Sequence, residues 1–125
     1  MTNRLFLYGH DEVYVINLQQ VLYIQADDHY AEVYYSAGSH FMVPYGLSRI
    51  EEHLASAGFD ASYMQRLGRK YIVNCRRIFR ITTVKEQIYL MDDSGSNVVL
   101  HIPKTVLRSF LEQMALMAPP QPASA

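Results

Sequence analysis

The chain has one cysteine and no tryptophan in 125 residues. The lone Cys75 excludes an intramolecular disulfide and a cysteine-based zinc cluster. It stands two residues after Val73, among core-like side chains, and is expected to be buried or half-buried. No apolar run approaches the roughly 20 residues of a membrane helix. The start, MTNRLFLYGHDE, lacks the continuous apolar segment of a secretory signal, so the expected location is cytoplasmic. There is no G-x-S-x-G, no P-loop and no GxGxxG. The histidines His10, His29, His40, His53 and His101 are scattered, without an H-x-x-x-H pair that would put two ligands on one helix face. Asp27 and Asp28 are adjacent carboxylates in a turn-like corner, where solvation is the ordinary role. No nucleophile, base and orienting group come together, so neither an enzyme nor a cofactor is expected.

Carboxylates are missing where cations gather. None lies between Asp60 and Glu86, a segment that holds Arg66, Arg69, Lys70, Arg76, Arg77, Arg80 and Lys85. These are seven of the 11 Lys+Arg, so a net charge of −1 hides a strongly basic segment in an otherwise acidic chain. From Met64 to Arg80, MQRLGRKYIVNCRRIFR, the charges alternate with Tyr71, Ile72, Val73, Ile78 and Phe79. Apolar anchors within a basic run imply that it is held on the fold, as a candidate footprint for a polyanion.

What the chain has in quantity is sheet-forming residues: ten Tyr, with many Val and Ile, in a composition that is 50% hydrophobic and so globular. Short strands are expected at Arg4–Tyr8, Glu12–Ile16, Val21–Ala26, Tyr30–Tyr35 and from His40 to Val43, with Pro44 closing the last. The period then changes. Leu47, Ile50, Glu51 and Leu54 have amphipathic-helix spacing, and Gly58 suits a left-handed stop. Arg80–Val84 and Gln87–Met91 read as strands, Asp92–Ser96 as a hairpin turn and Asn97–Ile102 as the return strand. Pro103 precedes a second helix with Val106, Leu107, Phe110, Leu111 and Met114 on its apolar face. The expectation is one mostly β domain over residues 1–117, followed by a disordered tail at 118–125, APPQPASA.

If this domain binds nucleic acid, its helices are poor readers. The Leu47–Ala57 helix carries Glu51, Glu52 and only Arg49, the wrong sign for phosphate. Loops beside strands would have to do the work. The tyrosine-rich strands raise RNA stacking as a minor alternative, but the RNP1 aromatic-glycine pattern is absent.

From about Val13 to Met114 the chain resembles the LytTR family of bacterial DNA-binding domains. The resemblance rests on four blocks in order: VLYIQADDHYAEVYY, LSRIEEHLASAGF, MQRLGRKYIVNCRRIFRI and IYLMDDSGSNVVLHIPKTVLRSFLEQM. Arg66, Arg69, Tyr71, Val73 and Asn74 match the family's Arg-x-x-Arg-x-Tyr-x-Val-Asn pattern. Gly68, Lys70 and Lys104 depart from it, standing where His, a small hydroxyl residue and Arg are usual. No receiver domain precedes Val13, so the expectation is either a stand-alone domain, which is favoured, or a piece of a longer regulator.

The resemblance implies an elongated, mostly β fold whose loops enter successive grooves of double-stranded DNA. By motif position the base contacts fall on His29, Arg69 and Lys104. Arg69 suits bidentate readout of guanine, whereas the Lys104 ammonium is better matched to phosphate. Tyr30, Arg66, Lys70, Arg76 and Arg77 are expected backbone contacts, with a structural ion pair as the alternative for Arg66. Tyr71, Val73 and Asn74 are expected to support the loop that aims Arg69, Asn74 through hydrogen bonds to backbone. A homodimer on repeated half-sites is the implied assembly. The competing expectation is a protein-interaction module held by a membrane or sensor protein, with DNA binding weak or lost.

Overall fold

A computed structural model describes residues 3–59 and 63–117; the tail expected at 118–125 lies outside them. Among the described residues are ten strands, all paired antiparallel, and two α-helices. The fold is mostly β, as expected.

The centre is a five-stranded sheet of β3 (Tyr23–Asp27), β4 (Tyr30–Tyr34), β5 (His40–Val43), β6 (Met64–Leu67) and β7 (Tyr71–Asn74), in the order β5-β4-β3-β7-β6. Alternation along its middle strands sends side chains into two different cores. Ile24, Val33 and Ile72 face β1 (Arg4–Tyr8), β2 (Val13–Asn17) and α1 (Leu47–Ser56), where they meet Leu5, Leu7, Ile16, Ile50 and Leu54. Tyr23, Leu67, Tyr71 and Val73 face the other way. They meet a three-stranded sheet of β8 (Ile78–Thr82), β9 (Gln87–Met91) and β10 (Asn97–His101), and α2 (Lys104–Met117), through Ile88, Leu90, Leu100, Leu107 and Phe110. Because β7 lies between the two cores, all four of its residues are buried.

The helices follow the expected pattern. Leu47, Ile50 and Leu54 form the buried face of α1, and Gly58 takes φ +88 just beyond its end, a conformation that favours glycine. The basic stretch, expected only to be anchored by its apolar residues, resolves into β6, a turn, β7, a 3-10 turn over Cys75–Arg77, and β8. Strand β8 begins and ends two residues earlier than expected. Thr83–Glu86 are needed for the turn into β9, where Glu86 adopts φ 55 and its amide donates to Thr83 O at 3.2 Å.

Candidate nucleic-acid interface

Antiparallel pairing brings two turns to one end of the central sheet. The β3–β4 hairpin turns on Asp28 and His29, with Asp27 opposite Tyr30 and Asp28 in the left-handed region at φ 58. The β6–β7 hairpin turns on Gly68, Arg69 and Lys70, with Leu67 opposite Tyr71 and Gly68 at φ +71. Strands β3 and β7 are neighbours, and the Ala26 amide donates to the Lys70 carbonyl at 2.8 Å. The two turns are therefore fixed to each other by the ladder. The first turn of α2 joins them from the second core: a Cβ added at Gly68 would lie 3.7 Å from a Val106 methyl. The β3–β7 pairing thus sets His29 and Arg69 on adjoining turns, and Lys104 starts the helix whose Val106 lies beside Gly68.

All three are exposed, as are Tyr30, Lys70 and Arg108. The His29 imidazole Nε2 is 3.8 Å from Asp28 Oδ1, both side chains being almost wholly in solvent. The Lys70 ammonium lies 5.9 Å from the centre of the Tyr71 ring, a contact that partly orients it. On the face toward the second core Tyr23 stacks on Tyr34, with ring centres 4.4 Å apart, and meets the edge of Tyr71. Burial, with Tyr34 and Tyr71 nearby, pushes the Tyr23 phenol up to about 12, and burial also raises Tyr71. Both stay neutral at physiological pH, and Tyr71, opposite Leu67, stands directly behind the Arg69 turn.

The remaining cations of the basic stretch are engaged within the protein. Arg66 Nε donates to the Gly68 carbonyl at 2.9 Å, while its Nη1 reaches Ser48 Oγ and Glu51 Oε1 on α1, each at 3.2 Å. The ion-pair alternative thus describes its contacts, and the same guanidinium braces the Arg69 turn. Arg77 pairs with Asp93 at 2.7 Å and donates to the Gln19 carbonyl at 2.7 Å, its side chain only 17% exposed. The Arg76 guanidinium lies 3.9 Å from the centre of the Tyr63 ring, and Arg80 lies 4.7 Å from that of Tyr89. Arg76 and Arg77 follow β7, so the whole strand, roughly 13 Å at its usual rise, separates them from the Arg69 turn. They therefore lie at the other end of β7 from the Arg69 turn.

Asn74 requires the same correction. It is 1% exposed and hydrogen-bonded on both sides of its amide. Nδ2 donates to Leu18 O at 3.1 Å and to Val21 O at 2.8 Å, and Oδ1 accepts from the Arg76 amide at 3.0 Å. It therefore braces the β2–β3 link and the 3-10 turn, at the far end of β7 from Arg69. Tyr71 and Val73 are buried in the second core, directly behind the turn. Cys75 is half-buried, and burial pushes its thiol up to about 11, so it is not a reactive thiolate.

The profile of the LytTr DNA-binding domain matches residues 11–115. The chain belongs to the LytTR family. Among solved structures, the LytTr DNA-binding domain of a protein described as a methyl-accepting/DNA response regulator from Bacillus cereus is similar, with a TM-score of 0.62. That match covers 91% of this chain and 98% of the other at 20% identity, a likeness of fold. No curated protein matches the chain.

Membership makes this a DNA-binding module. Among the described residues, no helix is long and apolar enough to cross a membrane, and no group of three or more His, Cys, Asp or Glu is placed to hold a metal ion. The opposite end of this LytTR domain has a different character. An open depression of about 480 Å³ lies there between the β4–β5 and β9–β10 turns, lined by Ser36, Ser39, Asp92 and Asp93. Bonds from Ser94, and from the Ser96 and Gly95 amides, hold the Asp92 carboxyl below the usual carboxylate range. This end is suited to solvent, not to phosphate.

Proposed function

We propose that residues 1–117 act as a cytoplasmic transcriptional regulator that reads double-stranded DNA with the turns at one end of the central sheet. What supports this is the side-by-side setting of the exposed His29 and Arg69 turns, with Val106 in the first turn of α2 beside Gly68, while Arg66 and Arg77 are held in ion pairs within the protein. Arg69, exposed on a hairpin whose start is pinned by Arg66, is the base reader, matched to guanine O6 and N7. His29 donates to a base edge or a phosphate. Lys104 enters at the third position, with Lys70 and Tyr30 on the sugar-phosphate backbone. Two copies on repeated half-sites would gain affinity through their joint attachment to one duplex.

Selection of bound sequences from a random duplex pool tests this reading. The expected result is enrichment of one motif, present as two spaced copies. Binding to it should weaken with salt, with a slope in log K against log salt of about −0.9 per phosphate neutralised. If correctly folded protein retains no duplex even at low salt, DNA reading is excluded, and capture by a membrane or sensor protein becomes the better account.

A further inference from the structure

The turn between β8 and β9, Thr83–Glu86, belongs to no part of the interface so far assigned. Three features distinguish it. Val84 is 86% exposed, more than any other exposed large hydrophobic residue described. Lys85 beside it is also exposed, its amide held by Thr82 Oγ1 at 3.3 Å. Glu86 stands at φ 55, where glycine would be unstrained, yet the position carries a long side chain with a defined partner. Its Oε2 accepts from the Lys104 amide at 2.8 Å. Its own carbonyl accepts from the Ile102 amide at 2.9 Å.

The first amides of a helix have no partner within it. Here a carboxylate from a different hairpin supplies one, and it does so at the residue placed third on the DNA. The two bonds through Glu86 bracket Pro103, so the β8–β9 turn and the start of α2 move as a unit. A carboxylate among exposed cations would ordinarily repel phosphate. Directed at the Lys104 amide, it instead meets the positive end of α2.

We propose that the β8–β9 turn is a fourth DNA-contacting element of this domain. Lys85 contacts a phosphate beside the Lys104 site, and Glu86 is the positioning residue that locks the turn to α2. The inference rests on the DNA-reading function and adds to it a contact, together with the residue that holds that contact in register.

The test is duplex binding across a salt series, on the selected site and on random DNA. The proteins are the full chain and its Lys85→Ala, Glu86→Gln, Glu86→Ala and Arg69→Ala variants. Lys85→Ala is a surface change that leaves the fold alone, and it should flatten the salt slope by about 1 on both duplexes. Glu86→Ala should weaken binding to the selected site about fivefold through loss of the cap. Glu86→Gln keeps an acceptor oxygen and should stay within about twofold of the parent. If Glu86 acts only by repelling DNA, Ala and Gln would both tighten binding, and that result overturns the positioning role. An unchanged slope in Lys85→Ala, with Arg69→Ala impaired as expected, overturns this inference while leaving the DNA reading intact. Failure of the parent protein to bind any duplex removes both.

Discussion

Residue type alone does not distinguish a cation that meets DNA from one that holds the protein together. Six Lys and Arg stand between Met64 and Arg80. Arg66 and Arg77 pair with carboxylates, Arg76 and Arg80 lie over tyrosine rings, and Arg69 and Lys70 stand exposed on a turn. The partners Glu51 and Asp93 are 15 and 16 residues away, so no local pattern announces the pairs. Arg66 was open to either role in the sequence because a carboxylate-bearing helix precedes it. For Arg77 nothing nearby suggested a mate. Asn74 shows the same limit: a buried amide was legible, its partners Leu18 and Val21 were not. Replacing Asn74 with Ala strands two backbone carbonyls and should cost about 2–4 kcal/mol, measured by urea denaturation. The fraction that remains folded should still discriminate the selected site, because Arg69 is held from the other end of β7.

At the scale of elements, the hydrophobic period was the most legible feature. Both helices and the Gln87–Met91 strand stand where the sequence places them. The β6–β7 hairpin was not visible, although it carries Arg69, the proposed base reader. Its strands have four residues each, and β7 is buried on both faces, so it has no alternation to detect. Its turn is set by Gly68 in the left-handed region and by Arg66, which ties the Gly68 carbonyl to α1 through Ser48 and Glu51. Helix α1, which bears the wrong charges to meet DNA, thereby acts on the reading turn from behind. Arg66→Ala should loosen that turn and lower affinity for the selected site about tenfold, while Lys at the same position, lacking the fork, should restore only part of it. A thermal-melting shift in Arg66→Ala of no more than a few degrees would accompany a loss of reading, as opposed to a loss of fold. Undiminished discrimination in Arg66→Ala would show that the turn holds its shape without the brace.

Across the whole molecule, the two ends of the central sheet differ in character. One end of the central sheet carries His29, Arg69 and Lys70 together with Asp27 and Asp28 on adjoining turns, and the other carries Asp92 and Asp93, the latter paired with Arg77, beside a serine-lined depression. A nearly neutral chain can therefore present a local field to phosphate without being basic overall, which sets the approach of the duplex as well as its retention. The three positions proposed to read DNA follow from family resemblance alone, since His29, Arg69 and Lys104 share no local sequence pattern. The β3–β7 pairing sets the first two on adjoining turns, and Val106, two residues after Lys104, lies beside Gly68, long-range contacts that no single stretch encodes.

The claim that Arg69 reads a base, while its neighbours only hold the backbone, is the centre of this account. It is tested most directly by titrating the parent protein and Arg69→Ala against the selected duplex and a random one at the same salt. The predicted result is a loss of about 1–3 kcal/mol on the selected site with little change on the random duplex. An equal loss on both would contradict the account and return Arg69 to the phosphate contacts.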